Sequence, residues 1–439
     1  MDETRLAIYL HIPFCQSKCT YCDFNSYVGL EYLFEPYLDA LIGEASWLAA
    51  RFRQPVCSLY LGGGTPTRLP IALLTRLLDA CRRLFNVQPD AEISCEANPG
   101  TVSASGLHAL RRAGVNRLSL GAQSFDPAEL TLLGRVHDPA QVRQAVQYAR
   151  AAGFSNLSLD LIYGLPRQRL AGWRASLEQA LALAPEHLSL YCLSLEPGTP
   201  LTHRIMRREL PAPDPDLAAD MYDLASELLA TAGYQQYEIS NWCRPGYACV
   251  HNLAYWRNQP YLGLGAGAHS STGEQRWWNV HSVPGYLDAM QAAGIPASSF
   301  RRPQDSASSP VTSSVYQAAA RRDSNGGSRK QASAPNGLAG QPSSSATHHW
   351  PSPAAQGGEV LDRATQLGET LMLGLRLTAE GVSEADIQRR FGVSLEEAYG
   401  PVIRELTQLG LLSWQAGRLR LTARARLLGN QVFARFLPG

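Results

Sequence analysis

The chain has 439 residues, more than one small core needs and enough for two or three domains. Lys and Arg number 39 against 38 Asp and Glu, so the composition carries neither a basic surplus for polyanions nor an acidic solvating tail. No apolar run reaches the roughly 18 residues of a membrane span, and the first residues pass into an apolar stretch without the charged and hydrophobic segments of an export signal, so a cytoplasmic protein is expected. Without such a signal, nine cysteines argue against a disulfide framework, and the crowding of three of them into residues 15–22 points to metal.

Aliphatic and β-branched runs at 6–11, 56–62, 91–97, 117–121, 156–162 and 187–193 predict strands. Helical apolar spacing fills 32–52, 71–85, 103–113, 139–152 and 170–184. The alternation predicts an α/β fold of βα units around a parallel sheet, with reactive groups at the carboxyl ends of the strands. This first domain is expected over 1–235. A Tyr-, Trp- and Gly-rich region follows over 236–300, with a helix near 284–293. Residues 301–358 are crowded with Ser, Ala, Gly, Pro and Gln. Such a segment buries too little apolar surface to offset its ordering entropy, and a disordered insertion is expected. The last region, 359–439, shows helical patterns at 361–377, 383–391 and 395–409, then a hairpin through 411–421, the outline of a winged helix. Arg418, Arg420, Arg424 and Arg426 would suit nucleic acid, but Glu369, Glu380, Glu384, Asp386, Glu396, Glu397 and Glu405 share the segment. A domain that packs on the sheet or docks a partner is therefore expected, with no nucleic-acid role.

Cys15-x-x-x-Cys19-x-x-Cys22 follows the first strand, where three thiolates can hold three irons of a 4Fe-4S cubane and leave the fourth open. Zinc would call for a second Cys or His pair, and none stands out. After the second strand, Gly62-Gly63-Gly64-Thr65-Pro66 offers backbone that a ligand can approach and a hydroxyl at Thr65. Glu96, Gln123, Arg135 and Asp160 fall at or just after strands three to five. Carboxylates suit ribose hydroxyls or an ammonium, and Arg suits a carboxylate; ordinary ion pairing at a rim is the alternative for each.

Tyr9-Leu-His-Ile-Pro-Phe-Cys15, the three-cysteine loop and Cys22-Asp23-Phe24 resemble the radical SAM proteins related to oxygen-independent coproporphyrinogen oxidase. The likeness runs through most of 1–300 and resumes at 359. It implies a partial (β/α)6 barrel with a 4Fe-4S cluster on Cys15, Cys19 and Cys22, and S-adenosylmethionine chelated at the open iron and cleaved after one-electron reduction. It also implies Tyr9, Tyr21, Phe24, Gly63, Gly64, Thr65, Glu96, Gln123, Arg135 and Asp160 as cofactor contacts. The coproporphyrinogen-oxidising branch carries a fourth cysteine where this chain has Phe24. His251-Asn252-Leu-Ala-Tyr255-Trp256 resembles the HNxxYW motif of the HemW proteins. That likeness implies haem bound and passed to recipient proteins without porphyrinogen oxidation, His251 ligating the iron or orienting its ligand, and an electron donor for the cluster. A homodimer and peripheral membrane contact are compatible with it, and a radical SAM porphyrinogen oxidoreductase is the alternative.

Overall fold

The computed structural model describes residues 5–295 and 350–438. Its first half runs β1 Leu6–Ile12, α1 Phe34–Ala49, β2 Val56–Gly63, α2 Ile71–Leu84, β3 Val87–Ala97, α3 Ala104–Arg112, β4 Arg117–Gln123, α4 Pro127–Leu132, α5 Pro139–Ala151, β5 Leu157–Tyr163, α6 Leu170–Ala182 and β6 His187–Cys192. Strands β1 to β6 lie side by side in chain order, all parallel, as the alternating pattern predicts and in the order that the family resemblance implies for a partial barrel. Local chemistry sets the helices. Helix α2 buries one stripe, Leu73, Leu74, Leu77, Leu78 and Cys81. Helix α5 starts at Pro139 behind an Asp138–Gln141 capping box.

Among the helices not anticipated are α7 Pro200–Met206 and α8 Pro215–Thr231. The second had a local signal: Asp214 caps the main-chain N–H groups of Asp216 and Leu217, and Pro215 occupies the first turn.

The boundary expected at residue 235 cuts through a continuous sheet. After α8 come β7 Gln235–Glu238, β8 Asn241–Cys243, α9 Val250–Trp256, β9 Tyr261–Leu264, β10 His269–Ser271, β11 Gln275–Asn279, α10 Val283–Ala292 and β12 Ala355–Val360. Strands β8 and β7 continue the sheet past β6, while β9, β10, β11 and β12 continue it past β1. The expected disordered insertion over 301–358 is also corrected at its end, because Ala355–Val360 pairs antiparallel with β11; residues 301–349 lie outside the described residues. Composition missed this strand because it is held by main-chain pairing rather than large aliphatics. Its glycines admit indole rings: a Cβ on Gly357 would stand 2.8 Å from the Trp278 ring, and one on Gly358 would stand 2.7 Å from the Trp350 ring.

The last region has the helix-strand-helix-helix-strand-strand order of a winged helix: Arg363–Gly374, Val382–Ser383, Glu384–Phe391, Leu395–Gln408, Leu412–Gln415 and Arg418–Leu421. It has its own core around Leu371, Ile403 and Leu419. Polar contacts pin it to the barrel sheet, Arg426 donating to Gln236 at 2.7 Å and Arg276 to Glu369 at 2.8 Å. No helix among the described residues is long and apolar enough to cross a membrane.

Glu44 of α1 is fully buried. It accepts from Gly265 N–H at 2.8 Å, Asn279 at 2.7 Å, Tyr286 at 2.7 Å and Ser352 at 2.6 Å, tying α1 to the strands added beyond β1 and to the segment before β12. An orphaned buried donor costs about 1–3 kcal/mol. Glu44→Ala is therefore expected to lower the unfolding free energy by more than about 3 kcal/mol in a urea titration, and a loss below about 1 kcal/mol would refute this role.

Candidate functional site

Alternating positions on β2 to β6 turn polar side chains into the barrel lumen, and parallel register makes them neighbours. Tyr60 pairs with Ser94, Glu96 with Ser119, Ser119 with Ser158, and Asp160 with Ser189. The Tyr60 hydroxyl donates to Glu96 at 2.8 Å, and the Ser119 hydroxyl lies within 3.0 Å of both Asp160 oxygens. Burial pushes the Glu96 carboxyl up to about 7, opposed by Tyr60 and Gly63 N–H as donors. Burial raises the Asp160 carboxyl too, against hydrogen bonds from three serines.

Cys15, Cys19 and Cys22 lie on the loop after β1, all half-buried. The loop is held by its own backbone and by Lys18, whose ammonium donates to the carbonyl of Phe24 at 2.6 Å and the hydroxyl of Ser26 at 3.0 Å. All three thiols line one cavity of about 100 Å³ together with Tyr21, Phe24, Thr65, Glu96 and Arg135. A second cavity of about 80 Å³ shares Gly64, Thr65, Glu96 and Arg135 and continues to Ser119 and Asp160. The Arg135 guanidinium donates to Cys19 Sγ at 3.4 Å and to the carbonyl of Gly121 at 2.8 Å. Its Nε is buried with no partner.

This arrangement fits an iron-sulfur cluster with an anionic ligand beside it. Among the described residues no three His, Cys, Asp or Glu side chains converge as a single metal ion requires. Thiolates at three corners of a cubane need not converge, because each holds a different iron. Arg135 supplies positive charge to a thiolate, and its unpartnered Nε has the chemistry to take a carboxylate.

The residues assigned from sequence do not all meet. Tyr21, Phe24, Thr65, Glu96, Arg135 and Asp160 face the two cavities. Tyr9 lies deeper, its ring 6.2 Å from Tyr60 and its hydroxyl 3.0 Å from His11 Nδ1. Gln123 lines neither cavity; it adopts φ 65° at the end of β4. Gly63 and Gly64 line the cluster cavity, but their missing side chains make room for protein rather than ligand. A Cβ on Gly63 would stand 2.5 Å from the His11 ring, and one on Gly64 would stand 2.8 Å from the carbonyl oxygen of Phe14. Sequence reasoning missed Tyr60, Ser119 and Asn98, the last of which lines both cavities. The polar residues at every second position of otherwise aliphatic strands were the available signal.

His251 differs most from its expected role. Helix α9 closes the strand-start end of the lumen, where Glu92 accepts from Val250 N–H at 3.2 Å, His251 N–H at 3.3 Å and the Cys249 thiol at 3.3 Å. The His251 ring is 1 % exposed, with Nδ1 2.9 Å from the Ser58 hydroxyl and Nε2 3.0 Å from the Tyr255 hydroxyl. Burial lowers its pKa to about 3. Both nitrogens are engaged, so this geometry gives an iron no axial position on His251.

The radical SAM superfamily model matches residues 9–180, and the HemN C-terminal domain model matches 361–428. The heme chaperone HemW of Bacillus subtilis is 35 % identical over 431 residues, 98 % of each chain. The heme chaperone HemW of Mycobacterium tuberculosis is 42 % identical over 306 residues, 69 % of this chain and 78 % of the relative. The chain belongs to the HemW family. Among solved structures, the coproporphyrinogen III oxidase of Escherichia coli superposes with a TM-score of 0.75 over 99 % of this HemW-family chain and 90 % of that one. At 24 % identity that likeness establishes the fold, a radical SAM sheet with a C-terminal domain.

A cluster held by three thiolates has no spare ligand, so Cys15→Ser, Cys19→Ser and Cys22→Ser are each expected to abolish the visible absorbance of the reconstituted protein. Full iron and sulfide retention in any one of them would refute the ligand set. Glu96 gives a pH signature. Its carboxyl, raised to about 7, keeps its proton in the folded chain between about 4.5 and 7, where the unfolded chain releases it. The folded state then binds more protons, and stability falls as pH rises through that window, by at most about 3 kcal/mol. Glu96→Gln is expected to flatten the slope in ligand-free protein, and an unchanged slope would place the titration elsewhere.

Proposed function

We propose that the chain is a haem chaperone that binds S-adenosylmethionine and a 4Fe-4S cluster on the barrel and delivers haem to recipient proteins. The observation that carries this reading is the 35 % identity to a heme chaperone across 98 % of both chains, cluster loop and C-terminal domain included. The site agrees with it. Phe24 stands where the porphyrinogen-oxidising branch has its fourth cysteine, and its ring is 65 % exposed at the cluster cavity.

When bound, the cluster would supply an open iron and one electron to S-adenosylmethionine. The chain's own residues would do the rest. Cys15, Cys19 and Cys22 hold the irons, with Arg135 offsetting negative charge at Cys19. The unpartnered Nε of Arg135 orients the methionyl carboxylate. Glu96 and Asp160, on neighbouring strands and kept in place by Tyr60 and Ser119, accept from ammonium or ribose hydroxyl groups. An electron donor must reach the cluster loop, where Phe24 is an exposed apolar side chain.

Anaerobic reconstitution followed by a haem titration, with a parallel coproporphyrinogen assay, separates chaperone from oxidase. We expect stoichiometric haem binding, transfer to an apo-haemoprotein and no decarboxylated product. Turnover of coproporphyrinogen would favour the porphyrinogen oxidoreductase, and absence of haem binding would overturn the chaperone.

A further inference from the structure

Helix α9 divides two environments. His251 and Tyr255, four residues apart, share the face turned into the lumen. Val250 and Trp256 instead line a cavity of about 550 Å³ between α9, the start of β1 and the C-terminal domain. Its volume lies within the roughly 300–1,000 Å³ range of ligand sites. We propose that this cavity is the haem site, holding the propionates with arginines at its rim and the macrocycle against Trp256. The proposal rests on the chaperone reading above and assigns its binding site.

Val250, Trp256, Leu377 and Ile387 give the cavity apolar wall. Trp256 carries a buried indole Nε1 without a partner, and the Arg376 guanidinium lies 4.4 Å from its ring centre, fixing the ring plane. Around this wall stand Arg5, Arg257, Arg389, Arg390 and Arg418, against Glu380 and Asp386. Glu380 takes both Arg257, at 2.8 Å, and Arg418, at 3.1 Å, while Asp386 takes Arg389 at 2.7 Å. Arg390 donates to the carbonyl oxygens of Arg257, at 3.3 Å, and Asn258, at 3.2 Å. Arg5 reaches only Asp90, at 3.7 Å, with both side chains largely exposed. The rim thus keeps an excess of guanidinium, the charge a dicarboxylate demands, and guanidinium is the group that takes carboxylates two bonds at a time.

The wall has no histidine. Cys57 is its one soft donor; that thiol donates to the carbonyl of Leu6 at 3.5 Å, and burial raises its pKa, which keeps it neutral. Recognition therefore depends on carboxylates and ring area rather than on iron, so the metal-free macrocycle binds about as well as haem.

The test titrates the cluster-reconstituted full-length protein with haem, metal-free protoporphyrin IX and the dimethyl ester of protoporphyrin IX. Haem and the free acid should bind comparably, and the ester at least about tenfold more weakly. Arg389→Glu reverses an exposed rim charge, and Val250→Trp fills the cavity without touching charge. Each should weaken haem binding at least about tenfold with cluster iron unchanged, and Val250→Trp stands alone if the charge reversal prevents folding. His251→Gln should leave the Soret band where it is. Wild-type haem affinity in both cavity variants, or a Soret shift confined to His251→Gln, would move the site elsewhere and leave the chaperone standing. A wild-type protein that binds no haem would overturn the chaperone reading itself.

Discussion

Polar side chains survive inside a barrel only if each finds a partner there, and the lumen of this sheet is organised by that condition. Parallel register sets Tyr60, Glu96, Ser119, Asp160, Ser158 and His187 on successive strands so that each hydroxyl meets a carboxylate or an imidazole. The belt continues to Tyr237 of β7, 3.0 Å from His187 Nε2. A carboxylate such as Glu96 can then be held beside the cysteine loop without a cation bonded to it among the described residues, its charge limited by burial and its position set by Tyr60.

The same belt joins the two ends of the barrel. The ring of Tyr60 stacks on His251 at 4.9 Å, 25° from parallel, while its hydroxyl holds Glu96. Helix α9 is therefore packed directly against Tyr60, which holds a residue of the candidate site, and its placement depends on Glu92, which takes three donors from the start of the helix. The HNxxYW stretch serves both faces of that helix: His251 and Tyr255 complete the lumen, and Trp256 faces the cavity under the C-terminal domain.

The residues that border the two described segments both pack on α1. Ile295 packs against Gly43 of α1, and the carbonyl of Pro351 accepts from the Trp47 indole at 3.0 Å, one turn further along. Glu44, between those two contacts, ties Ser352 into the core and fixes where β12 joins the sheet.

Much of this architecture was legible in the sequence. Alternating strand and helix periods announce a parallel sheet because hydrophobic spacing is a local property, and the three cysteines of the triplet come to line one cavity because they share one loop. The C-terminal helix and hairpin pattern was readable for the same reason. What escaped depends on partners distant in the chain. Strand β12 exists because β11 offers it a ladder and two indoles need glycine beside them. Gly63 and Gly64 are small because His11 and Phe14 approach them, which no local pattern records. His251 has the residue type of a haem ligand, yet Ser58 and Tyr255 occupy both its nitrogens. The residue types were set by the sequence, and which side of α9 each one faces was decided only by how the helix closes the barrel.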